Sequence, residues 1–202
     1  MSKVDQWGQQ ISGPTLGDEP NIESLLAAIN AIIERGVMRF ATATARAASI
    51  PTPVHGMVTS LVAEDRIDRW DGTRWFPITP GPWHAIAFTE NHQADSGSPG
   101  YRYVNGEVQF RGKSRRVSGG QYYTGGDWTP ATMPSGWRPS TVTHRVVAVE
   151  MGAGIYYARM EIGTDGSIIV NTPPGASSSS VGLRWVAFDG LTYPLDTPPA
   201  TL

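Results

Sequence analysis

The chain contains no cysteine. Disulfide bonds and thiol catalysis are therefore excluded, and cysteine usage gives no information about the redox compartment. No run of about 18 apolar residues occurs, so the sequence predicts no membrane-spanning helix. Residues 1–10 lack the apolar core of a secretion signal, and we expect synthesis in a cytoplasm without export. Charges are nearly balanced, with 16 Lys and Arg against 18 Asp and Glu, which argues against a general nucleic-acid-binding role.

Glycine and proline are abundant, with 23 and 16 copies in 202 residues, whereas apolar residues make up 40% of the chain. This composition favours many short strands and turns over a helical or doubly wound fold. Seven Trp and seven Tyr are also present. Because aromatic rings dominate core packing, we expect most of them inside small cores. The alternative is that some are exposed and stack on a saccharide or on a neighbouring subunit.

Residues 1–20 are interrupted by glycine and proline and show no sustained apolar period. This pattern predicts an extended arm. Such an arm either stays disordered or lies across another molecule. In the second case, Trp7 and Ile11 are the expected anchors.

Residues 21–36 carry the signals of a helix. Asn21 is a good N-cap, Glu23 lies in the first turn, and Gly36 ends the run. The apolar positions form a heptad seam and widen it into a broad face: Ile22, Leu25, Leu26, Ile29, Ile32 and Ile33.

This apolar face is predicted to be the interface of a homotrimer. Isoleucine at both seam positions favours three or four helices over two in a coiled coil. The alternative is an ordinary amphipathic helix that packs on its own domain. However, neither the arm nor the Ala/Thr-rich connector at residues 40–49 offers a partner surface. Since so short a helix is marginal in water, neighbouring domains must contribute to assembly.

Residues 37–79 are predicted to form a connector and a small β-hairpin module. Its strands are expected at Met57–Ala63, Arg66–Trp70 and Arg74–Ile78. Asp71-Gly72 is a hairpin turn signal, and Trp70 and Trp75 would meet across it. Because a module this small cannot bury enough surface alone, it must pack on the helix or on copies of itself.

A linker is expected at 80–100, a C-terminal domain at 101–195 and a tail at 196–202. Within the domain, Asn105-Gly106 is the strongest hairpin signal. Roughly seven or eight strands at regular spacing predict an antiparallel β-sandwich or jelly-roll-like domain. The fold class is therefore mainly β, with a short trimeric helix ahead of the hairpin module.

Residues 113–139 are expected to form a long polar loop in this domain. Four aromatic residues lie there among Gly, Ser and Thr: Tyr122, Tyr123, Trp128 and Trp137. Aromatic rings with adaptable polar neighbours are typical of recognition loops, so these residues are the predicted receptor or glycan site. The alternative is that the rings pack on the sheet or on a neighbouring protomer.

No catalytic residue, metal site or cofactor is predicted. Asp65, Asp68 and Asp71 could face a cation, but a calcium loop draws on more ligands at closer spacing. His84 and His92 have no third zinc ligand nearby. A glycosidase-type carboxylate pair is spatial and not sequential, and no two of the available acids are marked as partners: Glu90, Asp95, Asp127 and Glu150.

The order of several motifs resembles tail proteins of bacteriophages, particularly those of actinobacterial hosts. Residues 46–78 contain a hairpin of the form W-D-G-T-x-W-x-P. Downstream, YRYVNGEVQFRG, MPSGWRP, GTDGSIIV and an aromatic-rich last strand follow in an order similar to that of tail fibres and receptor-binding proteins. The resemblance spans residues 44–195.

This resemblance implies a homotrimeric virion protein carried on the tail, with the N-terminal region attached to the particle and the β domain outward. Its partners would be other tail or baseplate proteins and a host cell-wall glycan. The chain has no repeats and no extended coiled coil, so a tail-tip component, a baseplate component or a head fibre fits as well as a long adhesin.

Three functions remain open, in order of preference. The first is a virion component that attaches the particle to its host. The second is an architectural component that contacts other virion proteins only. The third is a carbohydrate-active enzyme, which is least favoured because the β domain is small for the long β-helix that such tail enzymes usually use.

Overall fold

The computed structural model describes residues 3–4, 12–13, 21–33, 35–126, 128–150, 154–178 and 180–199. The chain divides into two compact units, Met1–Thr79 and Pro80–Leu202. The prediction that Trp7 and Ile11 anchor an arm falls outside the described residues. The predicted fold class is confirmed: the chain is mainly β, with a helix near its N-terminus and several antiparallel sheets. Within the described ranges, no helix is long and apolar enough to cross a bilayer.

The N-terminal unit begins with two short antiparallel strands and the first helix. They are β1 (Lys3–Val4), β2 (Ser12–Gly13) and α1 (Ile22–Ile33). Asn21 caps α1 as expected, since its Oδ1 accepts hydrogen bonds from the backbone N–H of Glu23 and Ser24 at 2.9 and 3.2 Å. These bonds satisfy two of the N–H groups that a helix start leaves without a partner. No side chain of α1 is buried.

A four-stranded sheet follows, in the order β3-β4-β5-β6. Its elements are β3 (Val37–Phe40), α2 (Ala43–Ser49), β4 (Val58–Leu61), β5 (Arg66–Trp70) and β6 (Trp75–Pro77). The predicted connector is wrong in this region, because β3 pairs in parallel with β4 and α2 lies in the crossover between them. Thr42 caps α2 through its Oγ1, which accepts from Ala45 N–H at 3.1 Å. At seven residues α2 is too short to show a helical period.

The interior of this sheet is held by charge as well as by apolar packing. Asp68 is fully buried and pairs with Arg46 at 2.6 Å and with Arg66 at 2.8 Å. The Arg46 guanidinium also stacks 4.1 Å from the ring centroid of Trp75. Trp75 meets Trp70 edge to face across the hairpin, with 5.4 Å between centroids, as the sequence predicts.

Asp71 has a different role from Asp68. Its Oδ1 accepts from Thr73 and Arg74 N–H at 2.8 Å each and shapes the hairpin turn. The hydrogen bond from Thr73 N–H, followed by that from Arg74 N–H, lowers the pKa of Asp71 to about 2. Asp71 thus belongs to the hairpin turn, whereas Asp68 belongs to the buried ion pair. Among the described residues, no group of three His, Asp or Glu side chains is placed to hold a metal ion.

The described residues of the C-terminal unit form three small antiparallel sheets. The first, in the order β17-β10-β9-β7, joins β7 (His84–Ala85), β9 (Gly100–Val104), β10 (Glu107–Arg111) and β17 (Thr192–Pro194). The second, β16-β11-β8, joins β8 (His92–Ala94), β11 (Lys113–Arg116) and β16 (Trp185–Ala187). The third, β12-β15-β14-β13, joins β12 (Trp128–Thr132), β13 (Thr143–Ala148), β14 (Tyr157–Ile162) and β15 (Ser167–Asn171).

The turn signals in the sequence predict the hairpins correctly. The two segments predicted to be a linker and a loop, 80–100 and 113–139, contain strands instead. Asn105 and Gly106 both take positive φ, 48° and 91°, and join β9 to β10. In the stretch predicted as a linker, 80–100, β7 and β8 pair within the sheets of this unit. In the predicted polar loop, 113–139, β11 and β12 do the same. A strand of two to five residues gives too few alternations of apolar and polar side chains to be recognised in the sequence.

All three sheets contribute to one apolar core. Fully buried large side chains include Tyr103 and Tyr193 from the first sheet, Val186 from the second, and Met160 and Ile168 from the third. Burial of each such side chain contributes roughly 1.5–3 kcal/mol. Packing on this core determines which face of each sheet is turned outward.

Candidate binding site

The predicted trimer interface lies on the surface of the single chain. Its six side chains, Ile22, Leu25, Leu26, Ile29, Ile32 and Ile33, are all exposed. The exposed fraction runs from 44% for Ile29 to 83% for Ile22. The alternative, that α1 buries this face within its own unit, therefore does not describe the structure. Trimer formation itself stays a prediction.

Three of the four predicted glycan-binding rings lie in the interior of the C-terminal unit. Tyr122, Trp128 and Trp137 are 0%, 7% and 6% exposed, while Tyr123 is half-buried. The Tyr122 hydroxyl lies 2.7 Å from Ser114 Oγ, and Trp128 Nε1–H donates to the Tyr123 carbonyl at 2.8 Å. The rings thus pack on the sheets, as the alternative interpretation expects, and their part in ligand binding stays a prediction.

His92 belongs to the same cluster. Its ring stacks on Tyr122 with 5.6 Å between centroids, and its Nδ1 lies 2.8 Å from Thr89 Oγ1. Burial, with a smaller contribution from the charge of Arg116, lowers the pKa of His92 to about 4. Burial likewise raises the pKa of the Tyr122 hydroxyl. Both groups are therefore uncharged at neutral pH and act as packing elements.

His84 lies in a second aromatic cluster. Its ring is stacked on Tyr101 and meets Trp137 edge to face, at centroid distances of 5.5 and 4.9 Å. The Trp137 carbonyl accepts a hydrogen bond from the buried Tyr193 hydroxyl. Trp137 is thus fixed by contacts with the first sheet. The MPSGWRP turn that carries it therefore contributes a side chain to the core.

The second sheet presents a different kind of surface. Arg115 on β11 lies directly opposite Gln93 on β8 and Trp185 on β16. Cross-strand partners project from the same face of a sheet, so these three side chains form a row. An open cavity of about 440 Å³ lies against Arg115 and Trp185 of this row. We call it the cationic groove; with the backbone of residues 119–120, it is lined by Asp95, Arg115, Arg116, Glu150, Arg184 and Trp185.

Ion pairs in the cationic groove are long. Arg115 Nε lies 3.9 Å from Asp95, and Arg184 Nε lies 3.5 Å from Glu150. The side chains of Arg115 and Arg184 are 51% and 75% exposed. A guanidinium has five N–H donors in a planar fork, and these pairs engage Nε. The Gln93 side-chain oxygen also accepts from Arg115 Nε and Nη2 at 3.1 and 3.2 Å, so Arg184, with 75% of its side chain exposed, is the more open of the two guanidinium groups.

Trp185 supplies the apolar part of the groove. Its indole is half-buried, and the Lys113 ammonium lies 4.1 Å from the ring centroid. Arg116, at the other side, is held by a hydrogen bond to the Gln121 carbonyl at 3.1 Å and stacks 4.3 Å from the centroid of Trp128. An aromatic wall beside forked cationic donors suits a ligand that has both apolar ring faces and negative charge.

Sequence reasoning missed this groove because it treated β11 as part of a loop. The signal was the alternation in RGKSRRV, which places Lys113 and Arg115 on one face of a strand. Near β9, the guanidinium groups of Arg102 and Arg111 stack on Trp83, at 4.4 and 4.2 Å from its ring centroid.

No protein-family model matches the chain, and no curated protein matches it. Two solved structures are similar to it. One is the receptor-binding protein gp15 of Listeria phage PSA, with 14% identity over 87% of this chain and 80% of that chain, at a TM-score of 0.46. The other is the head domain of lactococcal phage bIL170, with 18% identity over 56% of this chain and 97% of that chain, at a TM-score of 0.41.

Proposed function

We propose that the chain is a homotrimeric structural component of a phage tail, in a fibre or at the tail tip, which contributes to attachment at the host surface through its C-terminal unit. It is a binding component and not an enzyme. The observation that carries the proposal is the apolar face of α1, all six of whose side chains are exposed in the single chain. Such a face on a helix of 12 residues requires a partner.

Copies of the same chain are the simplest partner for this face. Ile29 and Ile32 occupy the two seam positions of the second heptad, and isoleucine at both positions favours three or four helices. Each apolar side chain that becomes fully buried contributes roughly 1.5–3 kcal/mol. A helix of this length is about 18 Å long and marginal by itself, so assembly and helix formation stabilise each other.

Attachment is assigned to the C-terminal unit because it carries the open cationic groove. One weak site per chain becomes three per trimer. Several weak contacts made together give avid binding, because the second and third contacts are intramolecular. The N-terminal arm, with Trp7 and Ile11 as anchors, would hold the trimer on tail or baseplate proteins of the virion.

A purely architectural role is the second candidate, and the third sheet favours it. Val146 and Tyr157 project from β13 and β14 and are 75% and 59% exposed. An exposed apolar area on a sheet is suited to contact with another protein. In that case the C-terminal unit would contact other virion proteins and no host surface.

The test uses the purified full-length chain, the phage that encodes it and the host on which that phage grows. We expect the free chain to compete with the phage and to reduce its adsorption. A chain that binds the particle but leaves adsorption unchanged at saturating concentration would favour the architectural role and contradict attachment.

The trimer is tested by Ile29→Asp, which places a charge in the apolar seam at a cost of several kcal/mol per trimer. We expect native mass spectrometry to show single chains and adsorption blocking to weaken strongly with the loss of avidity. Asn30→Asp is the matched control, since it adds the same charge to an exposed position outside the six-residue face. An Ile29→Asp variant that stays trimeric would show that α1 does not face its own copies.

A further inference from the structure

We infer that the cationic groove binds a saccharide that carries a negatively charged group, a carboxylate or a phosphate. This inference rests on the proposed function, which makes a cell-surface glycan the ligand, and it names the chemical class of that glycan. It also moves the ligand site from the aromatic loop residues to the outer face of the β16-β11-β8 sheet.

The cationic groove has an excess of positive charge, unlike the chain as a whole. The chain as a whole has more acidic than basic side chains, 18 against 16. The groove reverses this balance: Arg115, Arg116 and Arg184 line it with Asp95 and Glu150, and Lys113 lies against its Trp185 wall. A cavity with excess positive charge concentrates anions.

The second step is the availability of donors. The acids hold the two exposed arginines loosely, at 3.9 and 3.5 Å. The other oxygen of Glu150 accepts the backbone N–H of Arg184 at 2.8 Å, which fixes the strand entry and not the guanidinium. Arg184 can therefore turn its fork to a carboxylate or phosphate, which such forks bind with two parallel hydrogen bonds, and Arg115, whose Nε and Nη2 donate to Gln93, adds a fixed positive charge beside it.

The third step is the shape. The groove has a volume of about 440 Å³, within the roughly 300–1,000 Å³ typical of small-ligand sites. The half-buried indole of Trp185 offers an apolar edge to the C–H face of a sugar ring. Asp95 and Glu150 can accept hydrogen bonds from sugar hydroxyls. Anion and polyol recognition are thus present in one cavity.

The experiment measures binding of three sugars to the full-length chain by saturation-transfer NMR at low ionic strength: methyl glucuronide, glucose 6-phosphate and methyl glucoside. We expect saturation of one or both anionic sugars and little of the neutral one. The glucuronide identifies a carboxylate ligand, and the sugar phosphate identifies a phosphate ligand. Equal saturation of the neutral sugar would overturn the requirement for negative charge.

Variants then locate the site. Arg115→Ala and Arg184→Ala should each weaken binding at least about tenfold, and Arg184→Lys should restore only part of it, because an ammonium keeps the charge but not the fork. Arg145→Ala is the control, since it removes an exposed arginine from β13 on another sheet. An equal loss in the control, or unchanged binding in both groove variants, overturns the site.

The failures of the two proposals can be told apart. A wild-type chain that blocks phage adsorption but saturates neither anionic sugar overturns the groove and leaves attachment in place. A chain that binds an anionic sugar but does not compete with the phage supports the groove and overturns attachment.

Discussion

The two units of this chain treat their apolar side chains in opposite ways. Among the described residues of the N-terminal unit, the large apolar side chains that are buried are Met57 and Leu61, while the whole apolar face of α1 is exposed together with Val37 and Val54. The C-terminal unit buries side chains from all three of its sheets, including most of its aromatic rings. The C-terminal unit therefore has a core of its own, whereas the N-terminal unit has apolar surface that requires a partner.

The N-terminal sheet carries a buried ion pair beside its small apolar core. Asp68 is surrounded by Arg46 and Arg66 in a site from which water is largely excluded. A buried ion pair adds little net stability over apolar packing, because desolvation offsets the attraction. Removing one partner is costly, since it leaves a buried charge without compensation. The small unit should therefore depend on single residues more than the large one does.

The largest expected effect comes from Asp68→Ala. The change leaves Arg46, which is 5% exposed, without its carboxylate, and we expect a loss of about 3–5 kcal/mol from the free energy of unfolding. Hydrogen exchange followed by mass spectrometry should show faster exchange in β3–β6 and unchanged protection in the C-terminal sheets.

The matched control for Asp68 is Arg69→Ala, which removes a charge from the neighbouring, exposed position of the same strand. We expect it to change stability by less than about 0.5 kcal/mol. If Asp68→Ala were equally mild, the ion pair would not hold the small sheet, and the contrast between the two units would lose its basis.

Acid should act on the C-terminal unit through His92. Its pKa is about 4 in the folded chain and about 6.5 when unfolded, so the unfolded state binds the proton first as the pH falls. The stability due to neutral His92 is complete above pH 6.5 and is lost progressively towards pH 4. The shift corresponds to roughly 3 kcal/mol. Denaturant unfolding of the C-terminal unit at pH 7.5, 5.5 and 4.5 measures it.

His92→Gln should flatten this pH dependence, because glutamine does not titrate. His55→Gln is the control, since His55 is an exposed histidine of the N-terminal unit. A pH slope that persists in His92→Gln would mean that another group causes the acid sensitivity of the core.

Sequence patterns predicted the local signals well and the short elements poorly. The cap at Asn21, the Asn105-Gly106 hairpin and the Trp70–Trp75 pair depend on neighbouring residues, and the structure contains all three. Strands β7 and β8 were missed because two or three residues give no visible alternation, and tertiary pairing stabilises them.

The candidate site shows the same limit. The aromatic residues Tyr122 and Trp128 were selected by composition, yet their burial depends on strands that the sequence did not reveal. The groove needs Arg115 and Trp185 side by side, and 69 intervening positions separate them in sequence. Only strand pairing brings them together, and a single sequence does not specify that register.

The smallest expected effect concerns Asn21, the N-cap of α1, because the exposed apolar face of the N-terminal unit exists only while this helix is formed. Asn21→Ala removes the acceptor for two backbone N–H groups and should cost about 1 kcal/mol per helix. In a trimer three caps are lost together, so the midpoint of assembly should move to higher protein concentration. Analytical ultracentrifugation over a dilution series measures this shift.

Asn30→Ala is the control: it changes the same residue type inside α1, where alanine favours the helix, and should leave assembly unchanged or slightly strengthened. Equal midpoints for Asn21→Ala and wild type would mean that α1 is formed by something other than its own cap and its own copies.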